Sequence, residues 1–211
     1  MALKILPFVY DLLMSPVEKL GLQKLRRKIL NLVSGDRILE IGAGTGLNIP
    51  VYPNGKKIVC IEPKFGMIKK AIKKAERHEK KVYFVCSEVE ALPFKNETFD
   101  VVFATFVFCE VRNPEGGFNE ILRVLKPGGK LILLEHVRPN GKIISKVFDI
   151  GNKITSIFGE NINRETVEIA VKSGFLIEKV EDIYDGIVKL IIGVKRTKVE
   201  IFGNNDSSPK T

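Results

Sequence analysis

The sequence has no tryptophan, a single glutamine at Gln23, three cysteines, two histidines and no apolar run long enough to cross a bilayer. Each shortage removes a class of explanation. Cys60, Cys86 and Cys109 stand far apart, with no C-x-x-C and no paired Cys/His spacing, so neither a disulfide scaffold nor a cysteine-bound metal is expected. Cys60 and Cys86 sit inside apolar runs and read as small core residues. His78 and His136 do not make a metal site by themselves, and no metal is expected. Isolated thiols fit a reducing, cytoplasmic compartment. A membrane-spanning helix needs roughly 20 apolar residues. Residues 1–14 are apolar but are broken by Lys4, Pro7 and Asp11, and they lack a basic leader with a small-residue cleavage site. They read as a lid or an interfacial segment.

What the chain has in abundance is lysine, glutamate and isoleucine, a bias that resembles thermophile proteins. Its 211 residues are 45% hydrophobic and 28% charged, the balance of a soluble globular chain with one substantial core. Lys and Arg outnumber Asp and Glu by 34 to 25, for a net charge of +9. Much of that excess lies in residues 69–81, where lysines interleave with Glu76 and Glu79 on an expected exposed helix. Such a stretch either attracts an anionic partner or is a solvated helix face, and the second is the simpler reading.

The most informative stretch is residues 37–46, in which Ile38, Leu39 and Ile41 read as a buried strand running into Gly42, Gly44 and Gly46. Glycine permits positive φ and lets a ligand approach where a Cβ would collide. A strand entering such a turn is how open α/β sheets build nucleotide-type sites. The dinucleotide fingerprint G-x-G-x-x-G needs a glycine at position 47, which here is Leu47, so the spacing is against a dinucleotide. Glu62 ends the next apolar run, 20 residues after Gly42, where an acidic side chain reaches the ribose hydroxyls of a nucleoside. The other reading of Glu62 is an exposed glutamate before Pro63.

Hydrophobic periodicity predicts strands at 38–41, 57–61, 82–85, 99–106, 130–135, 175–180 and 187–194, the last two turning around Asp185-Gly186. Helices are predicted from Ser15-Pro16 to Val33, and over 64–80, 114–125, 143–157 and 163–172. Lys126-Pro127-Gly128-Gly129 reads as a helix stop followed by a tight turn. Strands alternating with helices imply a mostly parallel sheet covered on both faces.

The string Glu40-x-Gly42-x-Gly44-x-Gly46 resembles motif I of the class I S-adenosylmethionine (SAM) methyltransferases. Three further segments, in order, resemble the same family. Ser87–Phe94 is similar to its G-D-A-E-A-L-P-F segment, with Glu88 in place of the usual aspartate. Phe99–Phe106 resembles its fourth strand, and Leu122–Leu131 its R-V-L-K-P-G-G turn. The resemblance implies an α/β, Rossmann-like seven-stranded mostly parallel sheet, with helices on both faces and a C-terminal antiparallel β-hairpin. It implies SAM as cofactor and S-adenosylhomocysteine (SAH) as product. The cofactor contacts it implies are Glu40, Gly42, Ala43, Gly44 and Gly46 in the turn, then Glu62 and Pro63 after the second strand. Glu88 then accepts from the adenine amino group, the Val89 N–H meets a ring nitrogen, and Thr105 closes the strand that lines the donor. A capped turn is the other reading of the Glu88 segment.

On this basis residues 1–200 form one methyltransferase domain, with residues 1–34 as lid and first helix, 138–162 as an acceptor-side cap, and 201–211 as a flexible tail. No Asp/Asn-Pro-Pro-aromatic string follows the fourth strand and no Pro-Cys motif occurs, which argues against nucleic acid as substrate. Glu135-His136 and Asn163-Arg164-Glu165-Thr166 resemble a subgroup of thiol S-methyltransferases and phospholipid N-methyltransferases, with quinone-biosynthesis C-methyltransferases more distant. The expected acceptor is a small hydrophobic, thiol or amine compound. A phospholipid head group reached through a peripheral N-terminal segment, or a SAM-binding module without turnover, are the alternatives. His136 is the candidate for orienting or deprotonating the acceptor, because imidazole titrates near neutrality; a structural strand-end histidine is the other reading. Glu110 and Tyr10 are further candidates for acceptor contacts. Arg164 reads equally as an anion ligand or a helix-capping residue. Oligomeric state has no signature here.

Overall fold

Aliphatic runs of four to seven residues separated by amphipathic helices bury both of their faces when they pair as a parallel sheet between helical layers. The computed structural model of the chain has this architecture and describes residues 22–136, 166–183 and 188–197. Strands β1 (Ile38–Ile41), β2 (Ile58–Ile61), β3 (Val82–Val85), β4 (Phe99–Thr105), β5 (Leu125–His136), β6 (Phe175–Ile183) and β7 (Val188–Lys195) form one sheet of order β3-β2-β1-β4-β5-β7-β6. The pairs β1–β2, β1–β4, β2–β3 and β4–β5 are parallel. β7 lies antiparallel to both β5 and β6, which is the reversed C-terminal hairpin the resemblance implies.

Side chains alternate across a strand, and the sheet uses the alternation to build two cores. Leu39, Ile41, Val102, Ala104, Leu131 and Leu133 face α3 (Pro114–Val124) and α4 (Thr166–Lys172), meeting Phe118, Ile121 and Ala170. Ile38, Ile58, Cys60, Val101, Phe103 and Ile132 face α1 (Gln23–Leu30) and α2 (Phe65–Arg77), meeting Ile29, Leu30, Ala71 and Ala75. In α2 the buried residues Met67, Ile68, Ala71 and Ala75 follow helical spacing, so Lys69 and Lys73 stay in solvent. Cys60 is buried as its sequence context implies. Cys86 is not: it follows β3, the edge strand, where little covers it, and it is exposed with Sγ 3.5 Å from the Pro63 carbonyl oxygen. An apolar run at a sheet edge looks, in sequence, like one at its centre.

The lysine-proline-glycine-glycine turn also differs from a plain helix stop. Leu125 leaves α3 and pairs at once with Phe99, and pairing resumes only at Lys130 with Val101. Lys126–Gly129 is therefore a wide bulge inside β5. A Cβ on Gly129 would lie 2.8 Å from the Lys126 carbonyl oxygen and 3.2 Å from that of Asp100, both backbone. Asp100, in β4, accepts from the backbone N–H groups of Asp36 and Arg37 and pairs with Lys126. The bulge, β4 and the approach to β1 are thus tied at one carboxylate, whose pKa the Lys126 hydrogen bond lowers.

Among the described residues no helix is long and apolar enough to cross a membrane. The predicted lid before residue 22, the cap at 138–162, the 143–157 helix, the start of the 163–172 helix, the Asp185-Gly186 turn and the 201–211 tail lie outside the described residues. Gly129→Ala is expected to lower unfolding free energy by about 1–3 kcal/mol, the range for forcing a methyl into packed surroundings. The check is a lower urea midpoint at an unchanged denaturant slope.

Candidate active site

In a sheet of this order the chain passes from β1 toward β2 on one side and later to β4 on the other, which leaves a crevice past the strand ends at the β1/β4 boundary. A cavity of about 620 Å³ opens there, walled by the loops that follow β1, β2, β3 and β4, within the roughly 300–1,000 Å³ typical of ligand sites. The glycine turn is its floor. Gly44 has φ +56° and nothing within 4 Å of where a Cβ would stand, so this glycine keeps a ligand-facing space open. Gly46 serves packing instead: a Cβ there would lie 2.4 Å from Ile49 Cδ1 and 3.2 Å from the Ala71 Cα, so its absence lets α2 approach the turn. Gly42 is crowded from the other side by Val107.

Beneath the turn lies a layer of buried polar side chains. Glu40 points to the α1/α2 face of β1, and its Oε1 accepts from Asn48 Nδ2 at 2.5 Å. Asn48 Nδ2 also reaches Thr105 Oγ1 at 2.9 Å. Arg26 Nη1, from α1, donates to Asn48 Oδ1 at 2.9 Å and to Thr105 Oγ1 at 2.8 Å. Cys60 Sγ donates toward Glu40 Oε2 at 3.4 Å, and the Tyr52 hydroxyl lies 3.3 Å from the same sulfur. Burial pushes the Glu40 carboxyl up to about 7, against the opposing effects of the Asn48 and Cys60 hydrogen bonds and the Arg26 charge. Burial likewise raises the Cys60 thiol.

Glu62 stands at the end of β2, and its two carboxylate oxygens accept from Gly44 N and Lys64 N, each at 3.0 Å. A carboxylate has about four acceptor positions, so two are left for hydroxyl donors. Burial raises its pKa, opposed by those two backbone donors. Lys64 Nζ in turn pairs with Glu110 Oε2 at 2.7 Å, joining the loops after β2 and β4 at the cavity rim. On the far side Val89 is buried and Glu88 exposed. Their segment is clamped by α3: Glu120 accepts from Leu92 N at 2.8 Å, and Arg123 donates to the carbonyls of Leu92 and Phe94 at 2.9 and 2.7 Å. The arginine of the R-V-L-K-P-G-G string therefore shapes the cavity from behind.

After β4 the chain turns sharply at Phe106, which has φ +58°, a left-handed conformation that costs an L-residue roughly 1–2 kcal/mol. The buried Glu135 holds the turn, its Oε1 accepting from Val107 N at 3.1 Å and Phe108 N at 3.3 Å.

Of the residues singled out in the sequence, Gly42, Ala43, Gly44, Glu62, Pro63, Glu88, Val89, Thr105 and Glu110 all line this cavity. Glu40 and Gly46 do not; they lie under and behind it. His136 is the last residue of β5, opposite Val188. Its side chain, with all of Tyr10 and Arg164, lies outside the described residues. Sequence reasoning missed Arg26, Asn48 and Lys64. Arg26 had a signal: it falls on the apolar row Leu22, Ile29, Leu30, Val33, where a charged residue is out of place unless it has polar work to do.

Glu40 gives this layer a pH signature. Its folded pKa is raised from the ordinary 4.5 to about 7, so the folded state holds the proton longer than the unfolded chain. Stability from this group is complete below about pH 4.5 and is lost as pH rises through about 7, by roughly 3 kcal/mol at 1.36 kcal/mol per unit. Glu40→Gln is expected to flatten that part of the decline, measured as unfolding free energy against pH in variant and wild type.

Comparison with known proteins agrees with this geometry. Residues 39–133 match the family model described as a methyltransferase domain. The chain is 30% identical over 191 residues to the ubiquinone/menaquinone biosynthesis C-methyltransferase UbiE of Pseudomonas paraeruginosa, an alignment covering 77% of this chain and 73% of that one. It is 39% identical over 103 residues to the human thiol S-methyltransferase TMT1A, covering 47% of this chain and 42% of that one. The chain spans about half the length of the thiol and demethylmenaquinone methyltransferases it matches. Among solved structures, the [4+2]-cyclase SpnF superposes with a TM-score of 0.68 at 21% identity, over 83% of this chain and 80% of that one, a likeness of fold alone. Sheet order, glycine turn and a relative aligned over most of its length lead to one conclusion: the chain belongs to the class I SAM-dependent methyltransferases, related to their thiol S- and quinone C-methylating members.

Proposed function

We propose that the protein transfers a methyl group from SAM to a small acceptor carrying a thiol or another nucleophile on an apolar body, releasing SAH. The observation that carries this reading is the pairing of Gly44, which leaves open space above the turn, with Glu62, which keeps acceptor positions for a diol beside it. The chain's residues fit the cofactor. Glu62 would take the ribose hydroxyls, Glu88 and the Val89 N–H would take the adenine edge, and the turn of residues 42–44 would leave room for the rest of the cofactor. When bound, SAM would supply a sulfonium-activated methyl: an acceptor lone pair would bond to the methyl carbon as the carbon–sulfur bond breaks, the sulfur keeping that electron pair and leaving as the thioether of SAH.

The residues around the transfer point contribute by positioning and by excluding water. Phe106, Val107 and Val111 give the acceptor side an apolar wall, held in place through Glu135. Glu110 stands on that rim, bound to Lys64. On this reading His136, which ends β5, orients the acceptor or removes its proton, and Tyr10 is a further acceptor contact. A thiol, with an unperturbed pKa of about 8.5, needs only weak assistance. The names of the relatives, thiol and quinone methyltransferases, support acceptors of these two kinds.

The test is SAH release by purified protein supplied with SAM and panels of alkyl and aryl thiols, quinols, amines and phospholipid vesicles. Turnover on thiols or quinols is the expected result. Turnover confined to vesicles makes the enzyme a phospholipid methyltransferase, and SAM binding without turnover on any panel makes it a binding module. Gly44→Val should weaken SAH binding more than about tenfold in calorimetry while lowering stability by only about 1–2 kcal/mol. His136→Gln should lower kcat/KM for the acceptor and leave the SAH dissociation constant within about twofold.

A further inference from the structure

An open sheet has two edges, and this chain treats its own two differently. At one edge β6 carries Glu178, Lys179, Glu181 and Asp182 and is interrupted by a bulge between Ile177 and Lys179. Charged side chains and bulges keep a free edge from pairing with another chain. At the other edge β3 has neither. Its residues, Val82-Tyr83-Phe84-Val85, include no charge and no proline, and its register with β2 is unbroken.

The backbone of β3 is only half used. The carbonyls of Lys81 and Val85 accept from Ile58 N at 3.3 Å and Glu62 N at 3.2 Å, so the odd-numbered residues turn their polar groups toward β2. Residues alternate along a strand, so Val82 and Phe84 turn their N–H and C=O groups outward, where no strand meets them among the described residues. The side chains of Val82 and Phe84 pack on the α1/α2 face of the sheet, and Tyr83 projects from the opposite face, 54% exposed. Beside β3, the α2 row that is anchored by Ile68 and Ala75 leaves Phe65 and Ile72 exposed.

Charge shows what kind of strand fits this edge. Before β3, residues 77–81 carry Arg77, Lys80 and Lys81 against Glu79. After it, residues 86–94 carry Glu88 and Glu90 and no cation. A second β3 laid antiparallel sets the basic start of each copy beside the acidic end of the other, whereas a parallel one sets like charges together. With Val82 opposite Phe84 of the second copy, the outward residues form hydrogen-bonded pairs, and Tyr83 faces its own counterpart.

We infer that β3 is a self-association edge: two copies of the chain pair antiparallel through Val82–Val85 about a two-fold axis at Tyr83, joining their sheets into one. Such a contact is self-complementary and closes as a dimer. An axis normal to the sheet keeps both α2 helices on one face, where Phe65 and Ile72 add apolar surface to what two four-residue strands bury. Because β3 runs directly into residues 87–94, the contact braces the cavity wall that holds Glu88 and Val89. The inference does not draw on the cofactor reading.

Sedimentation equilibrium of the full chain should show a dimer. A chain that stays monomeric up to its solubility limit overturns the inference. Tyr83→Lys replaces an aromatic pair by two like charges and should weaken the dimer by about tenfold or more. Because Tyr83 is exposed, the unfolding midpoint of the monomer should not move; an unweakened dimer in this variant refutes the assignment. Cross-linking reads the register independently. In a Cys86→Ser chain, Tyr83→Cys should give a disulfide-linked dimer under mild oxidation, since residues opposite each other in a non-hydrogen-bonded pair have Cα atoms about 4.5 Å apart, within disulfide reach. The remaining thiols, Cys60 and Cys109, are buried. A dimer that gives no such cross-link is paired elsewhere and overturns the proposal.

Discussion

The site depends on burying polar groups without stranding any of them. Glu40 occupies a row of β1 that its neighbour Ile38 fills with hydrocarbon, and nothing about strand formation requires a carboxylate there. It is tolerable because Asn48 and Cys60 supply donors and because the carboxyl is free to take up a proton near neutrality. Asn48 then carries the network outward, to Thr105 at the end of β4 and to Arg26 on α1. One layer of hydrogen bonds thereby fixes the relative heights of the β1 turn, the β4 end and the first helix. Leaving one buried member unpaired costs about 1–3 kcal/mol, a large fraction of a domain's stability of roughly 5–15 kcal/mol. The glycine turn can be open at Gly44 because it rests on this layer.

Much of this was legible in the sequence, for reasons that differ from element to element. The strands showed as short apolar runs because a parallel sheet buries both faces, and Glu62 showed because it ends such a run before a proline. The glycine turn was legible as a string but not as three separate jobs. Gly44 opens toward the cavity, Gly46 admits α2, and Gly42 lies against Val107; only Gly46's neighbour Ile49 is close in sequence. Long-range partners were the common blind spot. Arg26 and Thr105 are 79 positions apart, and Glu135 acts on backbone N–H groups 27 and 28 positions earlier. Cys86 failed for a related reason, since the position of β3 at the sheet edge is a property of strand order, which periodicity does not encode.

The two ends of the cavity also differ in how they are built. The β2 and β3 side is set by backbone: the N–H groups of Gly44 and Lys64 orient Glu62, and α3 pins the 87–94 segment through Glu120 and Arg123. A site framed by main-chain geometry tolerates side-chain change elsewhere in the chain. The β4 and β5 side is set by side chains. Glu135 holds a strained Phe106, and Phe106 in turn underlies Arg26. Acceptor choice is expected to reside here, because a single substitution in such a chain of contacts moves a wall of the cavity.

Charge is distributed with the same division. The acids facing the cavity, Glu62, Glu88, Glu90 and Glu110, gather after β2, β3 and β4, toward the open rim, while the buried cation lies under the β1–β4 boundary. The lysines of α2 that give the protein much of its positive charge point away from the core into solvent and are not part of this field. Net charge is therefore a poor guide to what enters the cavity. The exposed cations of the same wall, Lys64 and Arg112, stand among these acids, and Lys64 is paired with Glu110, so the rim carries both signs of charge and the one cation withdrawn from solvent is Arg26, held by Asn48 and Thr105.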